Sequence, residues 1–232
     1  MRAARTRADN RAAMRAEITR LGREHLRTHG AAGLSLRAIA RELGVVSSAV
    51  YRYVPSRDEL LTLLLVEGYT DLADTVDEAA DAAGSDIRTR LTAALSAARA
   101  WAAADPARWA LLYGSPVPGY AAPAERTVAP GTRVIGRLLA EFDAAWRAGA
   151  LRDDQTVDPR LPPLSADIDA IRDEFGCTLP DSVMVRAMTL WATTIGGISL
   201  EVFGQYGTDT FTHPDALFAA QVDAVLSTLF EE

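Results

Sequence analysis

The chain has no lysine, so all twenty-four of its Lys/Arg-type cations are arginine. Every permanent positive charge is therefore a planar guanidinium, able to fork onto a carboxylate, a phosphate or a guanine edge. There is one cysteine, Cys177, which excludes an internal disulfide and suits a reducing, cytoplasmic setting. No charged leader followed by an apolar run opens the sequence, so no signal peptide is expected. The apolar stretch MTLWATTIGGISL at 188 to 200 holds two glycines and falls short of the ~20 residues of a membrane span. No membrane partner is expected. A phosphate-cradling GxxxxGK[ST] loop, a Gly/Ser-rich linker, a tandem repeat and convincing period-2 alternation are also missing, which argues against a P-loop enzyme and against a sheet.

What is present is an ordinary globular composition: 232 residues, 49% apolar and 24% charged. The net charge of -7 hides a split. Residues 1–57 hold twelve arginines against four acids, a net of +8, so the remaining 175 residues carry -15. A basic end on an acidic body points to a local surface for a polyanion.

Runs of Ala, Leu, Arg and Glu with apolar residues three and four apart predict an all-α chain. A first helix is expected from about Asn10 to Thr28, ending at Gly30. Ser35 is a natural N-cap for a short second helix through Leu43, which Gly44 stops. A third runs from about Val46 or Ser47 to Val54, where Pro55 breaks it. Ser56 caps a long fourth helix with Asp58 and Glu59 in its first turn. Further helices are expected at about 86–104, 106–113, 132–148, 167–175, 181–205 and 214–230. The four-proline stretch at 114–131 and the segment 150–166 are expected to be loops.

A capped short helix, a turn containing Gly44 and a second short helix make a helix-turn-helix pattern. Its second helix would lie in the major groove of DNA. The stretch GVVSSAVYRYVPSRD at 44–58 suits that task. Ser47, Ser48 and Ala49 are small enough to bring backbone close to base edges, and Arg52 can fork onto guanine O6 and N7. Arg37, Tyr51, Tyr53 and Arg57 can anchor phosphates. The plainer reading is a helical corner with its tyrosines packed inside.

The run LSLRAIARELGVVSSAVYRYVPSRDELL resembles the DNA-binding domain of TetR-family transcriptional regulators over roughly residues 10–65. The resemblance implies residues 1–57 as a three-helix DNA-binding domain and 58–232 as a helical-bundle domain for ligand binding and dimerisation. It implies a homodimer through the last two helices that binds double-stranded operator DNA, with repression relieved by a small molecule. Backbone-contacting positions carry over to Arg37, Tyr51, Tyr53 and Arg57, and base-facing positions to Ser47, Ser48, Ala49 and Arg52. Many members have Ser or Thr where this chain has Val46, so Ser47 is expected to cap the recognition helix and shift its start.

The body resembles a subgroup in which a Trp-His-Gly pattern marks a late helix. Trp191 and Gly196 fit it, but Ile195 stands at the histidine position, which favours a different effector or none. A largely apolar effector pocket would draw on Trp101, Trp109, Tyr113, Phe142, Trp146, Trp191, Thr194 and Ile195, with Thr193 and Ser199 as further polar groups. The plainer reading of these aromatics is core. The Pro-rich stretch at 114–131 would then be a lid or a rigid connector.

No cofactor, metal or catalytic centre is expected. His25 and His29 have metal-capable spacing, but no completing ligand lies near, and an exposed face of the first helix accounts for them. With three histidines, none near a Gly-rich elbow, no nucleophile has an evident base. The rivals to a ligand-responsive repressor are a constitutive DNA-binding protein whose body only dimerises and, further off, a small helical enzyme.

Overall fold

A computed structural model describes residues 7–152, 162–207 and 209–230, the side chains of Arg7 and Ala8 excepted. Arg2, Arg5 and most of the loop at 150–166, Pro159 included, lie outside the described residues. Among those described there are eleven α-helices: α1 Arg7–His29, α2 Leu36–Glu42, α3 Ser47–Tyr51, α4 Arg57–Ala82, α5 Ile87–Ala104, α6 Pro106–Tyr113, α7 Ala124–Gly131, α8 Arg133–Arg147, α9 Ser165–Phe175, α10 Asp181–Val202 and α11 Pro214–Leu229. The one β-type pairing among them is an isolated bridge between Leu151 and Phe230. The all-α expectation is met.

The contacts group the chain into two compact units. The first joins residues 1–70 to 105–131, and the second joins 71–104 to 132–232. In the first, Ile18 and Leu26 of α1, Ile39 of α2, Val50 after the turn and Leu60, Leu61 and Leu64 of α4 form a buried core. In the second, α10 packs on α11, α5 and α8. Leu91, Leu138, Phe142, Leu190, Ile198 and Leu226 are each buried there to within about 1% of full burial. By length and composition α10 is long and apolar enough to cross a membrane, because Arg186 is the single cation in a helix otherwise poor in charge. Its buried side, including Met184, Leu190 and Ile198, is core of the helical unit.

Three local expectations are corrected. Residues 114–131 are not loop throughout, since 124–131 is α7. Pro123 lies just before the helix, where its carbonyl accepts from Arg126 and Thr127 N–H groups at 3.0 and 3.1 Å. Pro130 falls in the last turn, where its missing N–H forfeits one intrahelical bond, and α7 ends a residue later. Secondly, α3 ends at Tyr51, and Val54 N–H closes a turn on Val50 O at 3.0 Å. Thirdly, Val46 itself is the N-cap residue, extended at φ -68° and ψ 143° and without a side-chain cap, and Ser47 is the first helical residue. Backbone conformation sets that start, so the missing hydroxyl does not move it.

Candidate nucleic-acid interface

The turn between α2 and α3 is built locally. Ser35 Oγ accepts from Ala38 N–H at 3.3 Å and starts α2. Gly44 takes a left-handed φ of 67°, with nothing within 4 Å of where a Cβ would stand. The need for glycine there is conformational, not spatial. Its N–H closes on Arg41 O at 3.1 Å, and Val45 N–H on Ala40 O at 3.0 Å. Leu36, Ile39, Ala40, Val50 and Val54 bury one side of the two short helices.

The other side carries the polar groups. Arg37, Ser48, Tyr51 and Arg52 are exposed, and Ser47 and Ala49 are half-buried at the start of α3. Tyr53 is half-buried against the N-terminal core, so part of its ring is structural. Arg57 turns back: its Nη2 donates to Ala31 O at 2.9 Å and closes the link between α1 and α2. Arg41 was not singled out from sequence. It is exposed and lies one turn from Arg37 on the same helix, a spacing that could have found it. Among the described residues, Arg37, Arg41 and Arg52 have no carboxylate partner. The only acid in residues 25–57 is Glu42, and His25 holds it at 2.6 Å. His25 is thus buried and bound to Glu42, not on an exposed face as expected, while His29 is exposed.

The eight effector-pocket candidates divide between the units. Trp109 and Tyr113 belong to the first, with ring centroids 4.4 Å apart. Trp109 is almost fully buried, and burial pushes the Tyr113 phenol above its ordinary pKa, so it stays neutral. Trp101, Phe142, Trp146, Trp191, Thr194 and Ile195 belong to the second. There Phe142 is core, Thr194 donates to Leu190 O at 2.8 Å, and Trp101 Nε1 donates to Asp71 Oδ2 at 2.8 Å. Trp146, Trp191 and Ile195 are half-buried. A separate open groove of about 390 Å3 runs along α10 and α11, lined by Thr193, Gly196, Gly197, Leu200, Tyr206 and Gln221 among others. Among the described residues no three His, Cys, Asp or Glu side chains come together as a metal site.

A capped short helix, a left-handed glycine and a second short helix, with unpaired arginines on the outer side, define the class of helix-turn-helix DNA-binding regulators. Comparison with known proteins narrows the class. A model of bacterial regulatory proteins of the tetR family matches residues 18–64, and one of the tetracyclin repressor-like C-terminal domain matches 91–225. The HTH-type transcriptional regulator Rv1816 of Mycobacterium tuberculosis is 53% identical over 226 residues, spanning 97% of this chain and 96% of that protein. The crystal structure of a regulatory protein, SCO4313, is 32% identical with a TM-score of 0.78, over 96% of this chain and 100% of that one. FadR of Bacillus subtilis, solved in complex with stearoyl-CoA, shares the fold at 13% identity and a TM-score of 0.64, over 92% of this chain and 98% of that one. The chain belongs to the TetR family of transcriptional regulators.

Proposed function

We propose that this regulator is a ligand-responsive repressor that binds a pseudo-palindromic operator as a homodimer. The carrying observation is the set of exposed arginines, Arg37, Arg41 and Arg52, with no acid partner among the described residues. Residues 1–57 read DNA: Ser47, Ser48, Ala49 and Arg52 face base edges, while Arg37, Tyr51, Tyr53 and Arg57 hold the phosphates. Residues 58–232 dimerise and take the effector. The dimer forms through α10 and α11, whose open groove and exposed Leu200 and Phe203 leave apolar surface for a second copy. The two recognition helices then lie about 34–36 Å apart, one helical turn of DNA, or a multiple of that.

The effector is a largely apolar small molecule, a reading supported by the half-buried Trp146, Trp191 and Ile195 in the same unit as the buried Thr194. The acyl chain of the stearoyl-CoA bound to FadR is in keeping with that class. A preference of ~2 kcal/mol for one state changes operator affinity some thirtyfold. A DNA-binding role is in keeping with a cytoplasmic protein.

The test is a titration against DNA from upstream of the gene, beside an unrelated duplex, at two salt concentrations. Steep salt dependence on both is expected, with a gap of ~10³ or more between specific and random DNA. Arg52→Ala should narrow that gap by about 1–3 kcal/mol. Absence of salt-dependent binding to either duplex would end the proposal.

A further inference from the structure

Residues 105–131 lie outside the helix-turn-helix segment in sequence, yet belong to the same compact unit as α1, α2 and α3. Three polar anchors hold them there. Asp105, 7% exposed, caps α6 through Arg108 N–H at 3.3 Å and takes Arg27 of α1 on one oxygen at 2.9 and 3.1 Å. The Tyr120 hydroxyl meets Thr62 Oγ1 of α4 at 2.9 Å. Thr62 already donates its single hydrogen to Asp58 O at 3.0 Å, so Tyr120 is the donor. Arg126 of α7 forks onto Glu59 of α4 at 2.6 and 3.1 Å, and Arg15 of α1 joins the same carboxylate at 3.1 Å. Between the anchors, Ala107, Leu111, Val117 and Tyr120 pack against the core that holds Ile39, Val50 and Val54.

The recognition helix needs such support. α3 has five residues, too few to be stable by itself, since nucleating a helix is unfavourable. Its position is set by Val50 and Val54 in the core and so by the placing of α1 and α4 around it. Base contacts demand defined geometry, whereas phosphate attraction is long-ranged and tolerant of small displacements.

We propose that residues 105–131 are a positioning strap for base reading, anchored by Asp105, Tyr120 and Arg126. The proposal rests on α3 reading base edges. Loosening the strap lowers affinity for the operator and leaves attraction to any duplex almost unchanged. None of the three anchors is among the residues proposed to face DNA; each is bonded to α1 or α4.

The experiment compares full-length protein with the Tyr120→Phe/Arg126→Gln double variant on operator DNA and on a random duplex of equal length. The ratio of the two affinities is the readout, because a uniform change in charge or in active fraction cancels from it. The strap predicts a ratio reduced about tenfold, with random-duplex binding within about twofold. An unchanged ratio in a folded double variant overturns it. If the unmodified protein shows no gap between the duplexes, base reading itself has failed, which is a different result. Should the double variant not fold, Tyr120→Phe, which removes one oxygen, carries the same prediction at about threefold. Hydrogen exchange of the unmodified protein gives an independent arm. Amides of α6 and α7 should be protected to the same degree as those of α1. Fast exchange of α7 beside a protected α1 overturns the strap.

Discussion

Arginine does opposite work in two regions of this molecule. On α2 and just past α3, Arg37, Arg41 and Arg52 are exposed and unpaired among the described residues. Among the described residues of the helical unit of 71–104 and 132–230, most arginines are locked to acids, while Arg152 and Arg186 donate to backbone carbonyls. Arg99 forks onto Glu201 at 2.8 and 2.5 Å, and Arg90 reaches Glu141 at 2.6 Å. Arg133 meets Asp77 at 2.8 Å, Arg137 bridges Asp81 at 2.6 Å and Glu141 at 2.9 Å, and Arg172 pairs with Asp181. The difference is a matter of local acid supply. Residues 25–57 hold one carboxylate, and a histidine occupies it. A cation with no internal partner keeps its full attraction for an external polyanion, whereas a paired one presents almost no net field. Net charge over the whole chain conceals this, and residue-by-residue pairing shows which described arginines are left without an acid.

The largest way to break the contrast is in the body. Arg137→Ala removes a cation shared by Asp77, Asp81 and the buried Glu141, and should cost roughly 1–3 kcal/mol of stability, read from the denaturant midpoint. The ratio of specific to random DNA affinity should stay put. Arg37→Ala is its mirror: stability within about 0.5 kcal/mol, but weaker binding to every duplex and a salt slope shallower by about one. If Arg37→Ala instead unfolds the protein, the residue is structural and the contrast fails.

Acid gives the smallest and most gradual effect. Hydrogen bonds from Arg137 and Arg172 hold the Asp81 and Asp181 carboxyls below their ordinary value of 3.8, and Arg126 holds Glu59 below its 4.5. A lowered folded-state pKa stabilises above the unfolded value, and that stability is lost as pH falls through the lowered one. Stability from these pairs should therefore be level down to about pH 5 and decline below about pH 4. A body whose freed arginines then capture random DNA would come to resemble the reader. Stability that falls between pH 7 and pH 5 would mean that other groups dominate.

Much of the fold was legible in the chain because its signals are local. Ser35 and Ser56 cap α2 and α4 as expected, since a hydroxyl three residues before an N–H needs no distant partner. Gly44, Gly149 and Gly176 end helices with positive φ, again a property of single residues. The sequence of 114–131 suggests a loop because its four prolines outweigh a short AERTV run, whose helix is held by Glu59, 67 residues away. The sequence suggests an open face for His25 because nothing near it in the chain reveals Glu42 as its partner.

The sequence by itself determined the helices, the turn between α2 and α3, the basic N-terminal segment and the family resemblance, all carried by spacing within one or two helical turns. Only the tertiary structure decided which arginines remain unpaired and which are neutralised. It also decided that Arg57 is turned toward Ala31, and that residues 105–131 are tied to α1 and α4. Each of these depends on groups tens of residues apart meeting within about 3 Å, and packing alone brings them together.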